Sequence, residues 1–313
     1  MISAGSAAKI LFSSRFQVRR IICLPRRIVR HPLALIMCLQ ELRATHYDLA
    51  IDPCVASHSG HLLLGMAEAR YKVGFASGDS FDTVRDSNPG LPDHLAKRGV
   101  HALRAALADS VQRSWPTLDV RLTSAELQQG RRALDGILAR HEDPADRPRL
   151  VLGLFAHATG NKRLPEAWWD ALVARLQEAR PDVRIVDVLA AHGQSQLPGV
   201  RASFYTRDLR KLAAVLANMQ GFVSADCGVM HLAAAAGTPT LGLFSRTNRT
   251  KYTPYGHRND GLDVFVDDAD EDASGTGTAH LAVMAWIRQV VTADIDVDSD
   301  NPASHRAPSD PSS

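Results

Sequence analysis

From Tyr47 onward the chain alternates short, almost unbroken apolar runs with longer stretches in which apolar positions recur every three or four residues. The first pattern reads as buried strands and the second as amphipathic helices. Tyr47 to Asp52 is a strand ending in a carboxylate, His61 to Arg70 a helix, and Lys72 to Phe75 the next strand. Residues 77–93, rich in Gly, Pro, Ser and Asp, read as a loop, and Leu95 to Leu107 as a helix. Thr123-Ser-Ala-Glu126 has the spacing of a capping box, and Leu127, Leu134, Ile137 and Leu138 follow at helical intervals. His141 to Arg149, with two prolines, reads as a linker.

After the linker the alternation is cleaner. Strands are expected at Leu150–Ala156, Val183–Leu189, Gly221–Ser224, Pro239–Phe244 and Asp263–Val266. Helices are expected from Pro165 to Arg180, Asp208 to Met219, Val229 to Ala236 and His280 to Val291. Strands separated by helices of this length imply an α/β fold with a doubly wound parallel sheet. The expected organisation is a first domain over residues 1–140, a second over 148–291, and a disordered Asp-, Ser- and Pro-rich tail over 292–313.

Composition narrows the function classes. The 313 residues suffice for two domains, and 36 Lys and Arg against 34 Asp and Glu give a net charge of +2. A dedicated nucleic-acid protein would carry a strong basic excess, so no nucleic-acid partner is expected. The four cysteines, Cys23, Cys38, Cys54 and Cys227, form no CxxC pair and no disulfide framework. The apolar stretch Pro32 to Leu39 is far short of a bilayer span. The balance nevertheless hides an asymmetry. The first 48 residues hold Lys9, Arg15, Arg19, Arg20, Arg26, Arg27, Arg30 and Arg43 against only Glu41 and Asp48. A targeting presequence, a patch that meets anionic lipid, and a solvated face of the first domain all fit this bias.

Ligands of open parallel sheets bind beyond the carboxyl ends of the strands. Three successive loops of the second half carry hydroxyls, glycines and cations there: His157-Ala-Thr159-Gly-Asn-Lys162, Ala225-Asp226-Cys-Gly228-Val-Met230-His231, and Ser245-Arg-Thr247-Asn-Arg249. Gly228 opens a helix, whose free N–H groups and positive dipole end suit a phosphate. His231 lies one turn in, and Asp226 can cap the helix or accept from sugar hydroxyls. Taken singly, these residues read as a cap, a core histidine and solvated loop side chains; their convergence on one edge makes a phosphate-bearing ligand the better reading. The chain has no GxxxxGK[ST] loop, no GxGxxG fingerprint and no GxSxG elbow. Cys54, His58 and His61 approach metal spacing without a matching fourth ligand, so no metal or other cofactor is expected.

Phe222-Val-Ser-Ala-Asp-Cys-Gly-Val-Met-His-Leu-Ala-Ala-Ala-Ala-Gly-Thr-Pro-Thr-Leu-Gly-Leu-Phe244 resembles the signature of glycosyltransferase family 9, the lipopolysaccharide heptosyltransferases. Tyr252-Thr-Pro-Tyr-Gly256, His157 to Trp168, Tyr47 to Asp52 and Tyr71 to Phe75 are similar to further segments of that family. The resemblance implies two Rossmann-like domains facing a cleft, the GT-B arrangement. It implies an inverting, metal-independent transfer of heptose or a related sugar from a nucleoside-diphosphate sugar, ADP-heptose foremost, to a lipid-linked core oligosaccharide. Thr159, Lys162, Asp226, Gly228, Met230, His231, Ser245 and Thr247 would contact the donor. The expected location is the cytoplasm, at the inner face of the inner membrane, with peripheral contact to anionic lipid.

The sequence departs from the family pattern in two places. Members open with a strand, a Gly-Asp turn and a helix, and that aspartate is the usual candidate base. No Gly-Asp occurs before Tyr47, so the opening element and its base are expected to be absent and the first domain incomplete. Asp52, at the end of its strand, is the substitute candidate. An acidic residue expected after the second strand of the second domain is replaced by Ala191-His192-Gly193-Gln194. On sequence alone, a relative that binds nucleotide-sugar without transferring it, and a Rossmann-type module unrelated to sugars, remain alternatives.

Overall fold

The computed structural model describes residues 2–12, 16–24, 30–54, 58–74, 83–85, 90–107, 113–140, 150–265 and 273–300. The linker 141–149, the tail from 301, and Arg15, Arg26 and Arg27 lie outside them. The chain divides into two compact units, one of residues 1–120 with 250–253 and the other of residues 121–249 with 254–313.

In the first unit, β1 (Ile2–Ala4), α1 (Ala7–Phe12) and β2 (Ile22–Leu24) form a short βαβ unit with parallel pairing. Gly5, at φ 81°, makes the turn between strand and helix, a conformation that favours glycine. A strand–glycine–helix opening therefore exists where none was expected, but Ser6 rather than aspartate follows the glycine. Next come α2 (Pro32–Arg43), β3 (Tyr47–Asp52), α3 (His58–Met66), β4 (Ala69–Gly74), β5 (Thr83–Arg85) and α4 (Leu95–Ala106), with β3, β4 and β5 side by side and parallel. The segment read as a loop over 77–93 thus contains a short strand, and α3 starts three residues earlier than expected. Cys38, Leu42, Leu63 and Ala67 form the core against Ile2, Ile22, Leu24, Tyr47 and Ala50.

The second unit begins with α5 (Ser124–Leu138), so the boundary lies near residue 120 rather than 140. The capping box forms as expected, with Thr123 Oγ1 accepting from Glu126 N–H and Glu126 Oε2 from Thr123 N–H. Then follow β6 (Leu150–Phe155), α6 (Glu166–Ala179), β7 (Val183–Val188), β8 (Ala202–Phe204), α7 (Leu209–Leu216), β9 (Gly221–Ala225), α8 (Gly228–Ala235), β10 (Thr240–Phe244), α9 (Arg249–Tyr252), β11 (Asp260–Asp263) and α10 (Ala273–Asp300). Close contacts hold α5 on α7. Arg210 Nε donates to Glu126 Oε1 at 2.6 Å, and Gly130 packs directly on the Ala214 carbonyl. The last strand ends where it was expected to begin, because Leu241–Phe244 pairs with Asp260–Asp263. The last helix runs to Asp300, nine residues into the span expected to be disordered.

The six strands are parallel in the order β11-β10-β9-β6-β7-β8. The strand order therefore reverses between β6 and β9, and the loops after these two strands flank the point where such sheets bind ligands. Trp168 and Trp169, with Leu154, Leu172, Leu176, Val223 and Ile287, belong to the core of this unit. No helix among the described residues is long and apolar enough to cross a membrane.

Candidate functional site

The reversal of strand order sets β6, β9 and β10 side by side, and the three polar loops emerge from their carboxyl ends. Each loop has its own local reason. After β6, Gly160 at φ 63° turns the chain into a single 3-10 turn that carries Lys162. After β9, Cys227 is extended (φ −158°) and Gly228 starts α8, with the Val229 and Met230 amides turned to the Cys227 sulfur. After β10, Ser245 and Thr247 precede α9.

Two contacts join the loops. Lys162 Nζ lies 2.9 Å from Asp226 Oδ2, and Ser245 Oγ donates to the Asn161 carbonyl at 3.3 Å. Asp226 is only 5% exposed, so its charge needs a partner, and Lys162 supplies it. A Cβ built on Gly228 meets no described heavy atom within 4 Å, so packing does not demand glycine there. The lack of a side chain lets an anion approach the amides of α8. Cys227, beside these amides, has its thiol pushed up chiefly by burial, with the nearby Asp226 charge adding to it, which argues against a nucleophilic thiolate.

The expected residues divide clearly. Lys162, Asp226 and Ser245 are brought together, Gly228 opens beside them, and Thr159 is exposed at the start of the 3-10 turn. His231 and Thr247 are partly buried, on α8 and after β10. Met230 departs from the expectation of donor contact. Its side chain is fully buried and packs over Gly242, where a Cβ would lie 2.4 Å from its sulfur, so only its backbone faces the helix start.

One pair escaped sequence reasoning. His157 Nδ1 and His192 Nε2, from the loops after β6 and β7, are 3.3 Å apart with rings edge to face. Burial, then the neighbouring His192 and Arg163, hold His157 below the usual histidine range. The two lie 35 positions apart, so only the adjacency of β6 and β7 could have revealed them.

In the first unit, Asp52 is 8% exposed at the end of β3. Its Oδ1 accepts from Cys54 N–H at 3.0 Å, and its Oδ2 lies 3.8 Å from His61 Nδ1. A cavity of about 580 Å³ is lined by Asp52, Cys54, Ser59, Gly60, Leu63 and Leu64 among others. Gly60 is tightly packed here, since a Cβ would come within 2.4 Å of Asp52 Oδ2. Burial and the adjacent carboxylate push the Cys54 thiol up. Among the described residues, no three His, Cys, Asp or Glu side chains converge in a way that could hold a metal ion.

The model of glycosyltransferase family 9 (heptosyltransferase) matches residues 36–269. The chain belongs to this family. It is 37% identical over 102 residues to lipopolysaccharide heptosyltransferase 1 of Pseudomonas aeruginosa, a match spanning 30% of this chain and 29% of that relative's length. The structure of Escherichia coli heptosyltransferase WaaC with ADP superposes over 92% of this chain and 89% of that one, with a TM-score of 0.62 at 19% identity. A family 9 glycosyltransferase from Veillonella parvula superposes over 93% and 87%, with a TM-score of 0.67 at 13% identity. Escherichia coli ADP-heptose heptosyltransferase II covers 94% and 89%, with a TM-score of 0.58 at 15% identity. The α/β architecture with parallel sheets thus matches the fold of these heptosyltransferase structures.

Proposed function

We propose that this chain transfers heptose from a nucleoside-diphosphate sugar, ADP-heptose, to a lipid-linked core oligosaccharide of lipopolysaccharide. The observation that carries the reading is the joined edge of the second unit, in which Lys162, Asp226 and the open helix start at Gly228 meet at the reversal of strand order. It combines a cation, a carboxylate and a helix start, groups suited to a diphosphate and a hydroxylated sugar. Homologous WaaC has been solved with ADP and with ADP-2-deoxy-2-fluoro heptose, which supports the choice of nucleotide.

The chemistry follows from these groups. An acceptor hydroxyl attacks the anomeric carbon on the face opposite the diphosphate, the glycosidic bond to phosphate breaks, and configuration inverts. Lys162 and the amides of α8 meet the charge that develops on the departing diphosphate, a stabilisation that requires no metal. Asp226 orients sugar hydroxyls, with Thr159, Ser245, Thr247 and His231 around it. Asp52 is the base that takes the acceptor proton. One of its oxygens is fixed by Cys54 N–H, and Oδ2 has no hydrogen-bond partner among the described residues. The enzyme would act in the cytoplasm at the inner face of the inner membrane.

The test is transfer of radiolabelled heptose from ADP-heptose to heptose-deficient lipopolysaccharide by the full chain. Labelled product that disappears in Asp52→Asn, with ADP affinity retained, is the expected result. No turnover beside a working homologue, with ADP still bound, would overturn transfer while leaving the donor site standing. Absence of ADP and ADP-sugar binding would overturn the donor site as well.

A further inference from the structure

Helix α2 is apolar on two faces. Cys38 and Leu42 are buried in the core of the first unit. On the opposite side Leu33, Ile36 and Met37, spaced i, i+3, i+4, form a ridge that is 75%, 50% and 68% exposed. The solvent side of a surface helix ordinarily carries polar groups, and three large apolar side chains in one stripe differ from the scattered exposed leucines of any protein.

The surroundings of the ridge are cationic. Exposed Arg30 precedes the helix and exposed Arg43 occupies its last turn. Of the two acidic residues among the first 48, Glu41 is engaged with Arg20, which leaves Asp48 beyond the helix. Apolar side chains able to enter a bilayer, with an arginine at each end of the helix, match an interface with anionic lipid. A second copy of the chain or an apolar protein groove would cover the ridge but leave the charge bias without a counterpart.

We propose that α2 docks the protein on an anionic bilayer surface. Leu33, Ile36 and Met37 enter the boundary between headgroups and acyl chains, and Arg30 and Arg43 face lipid phosphates. The surface lies outside the donor-site residues and is tested independently of them.

The experiment uses the full chain with vesicles of phosphatidylglycerol and phosphatidylcholine, or of phosphatidylcholine alone, read by co-sedimentation. Binding is expected to the anionic vesicles only, and to weaken as salt rises from about 0.1 to about 0.5 M, because screening shortens the reach of the arginines. The triple variant Leu33→Gln, Ile36→Gln, Met37→Gln should require at least tenfold more anionic lipid for half-binding, with unchanged circular dichroism, melting and ADP affinity. A separate Met37→Trp variant should show blue-shifted emission and quenching by bromine-labelled acyl chains. Parental vesicle binding by the triple variant would overturn the proposal. So would emission from the Met37→Trp variant that is indifferent to lipid, equal binding to neutral vesicles, or a parent dimer that the triple variant dissociates without loss of lipid binding. Loss of ADP binding with vesicle binding retained would strike the donor reading alone.

Discussion

Replacing Lys162 by Met tests the donor site most directly, because the side chain is nearly isosteric and only its charge is lost. At 2.9 Å from Asp226 the gross attraction is about 6 kcal/mol at the effective dielectric of about 20 that suits protein sites. Desolvation of Asp226 opposes this, and Lys162 is 36% exposed, so the net loss in folding stability should be only about 1–2 kcal/mol. A charged hydrogen bond to a diphosphate contributes about 1.5–3 kcal/mol, so ADP affinity should fall by roughly 10- to 150-fold. The Asp226→Asn background separates the two effects. In the double variant the unpaired buried carboxylate is gone, so stability should return toward the parent while ADP affinity stays low. Calorimetric titration with ADP and thermal melting of the four proteins complete the cycle. ADP affinity within twofold of the parent in a folded Lys162→Met protein would refute the assignment, because no route to phosphate stabilisation through Lys162 would remain.

Other consequences follow from the packing. Gly228→Val should leave the melting temperature within about 3 °C of the parent, since the added Cβ meets no described atom within 4 Å, yet ADP affinity should drop at least about tenfold by calorimetry. Gly130→Ala should behave oppositely. Its Cβ would lie 2.2 Å from the Ala214 carbonyl oxygen, and backbone cannot rotate away, so denaturant titration should show a loss of about 3 kcal/mol, at the upper end of overpacking costs. Acidification tests His157 and His280, both held below the ordinary histidine value of 6.5 chiefly by burial. The unfolded chain therefore takes up protons first as pH falls, so their contribution is complete above pH 6.5 and is lost below it. His157→Asn should reduce the fall in melting temperature between pH 7 and pH 5. At lower pH, Arg210 holds Glu126 down at about 2, so its contribution persists above pH 4.5 and disappears as pH approaches 2; Glu126→Gln should remove that acid limb.

The strands of the second unit were legible because parallel strands are buried on both faces and spell continuous apolar runs, as Leu150–Phe155 and Thr240–Phe244 do. The edges were not. β11 reads Asp-Gly-Leu-Asp and β8 is three residues long, and each becomes a strand only through its neighbour in the sheet. The capping box located α5 but not its allegiance, because Arg210, which holds Glu126, is 84 positions away. The three polar loops were singled out by the rule that ligands sit beyond strand ends, whereas the ion pair between Lys162 and Asp226 required β6 and β9 to be neighbours. Met230 shows a related limit: spacing puts it near the helix start, but only packing shows its side chain turned inward onto Gly242.

Two glycines show what the three-dimensional structure adds. Gly60 and Gly228 each lie in the opening turn of a helix that follows a strand ending beside an aspartate. As letters they are equivalent. In space, a Cβ at Gly60 strikes the Asp52 carboxylate at 2.4 Å, so that glycine serves the internal packing that buries Asp52. A Cβ at Gly228 strikes nothing described, so no internal contact requires glycine there. The first glycine should resist substitution in any stability assay, the second only where donor binding is measured. That contrast separates a glycine that internal packing requires from one that it does not.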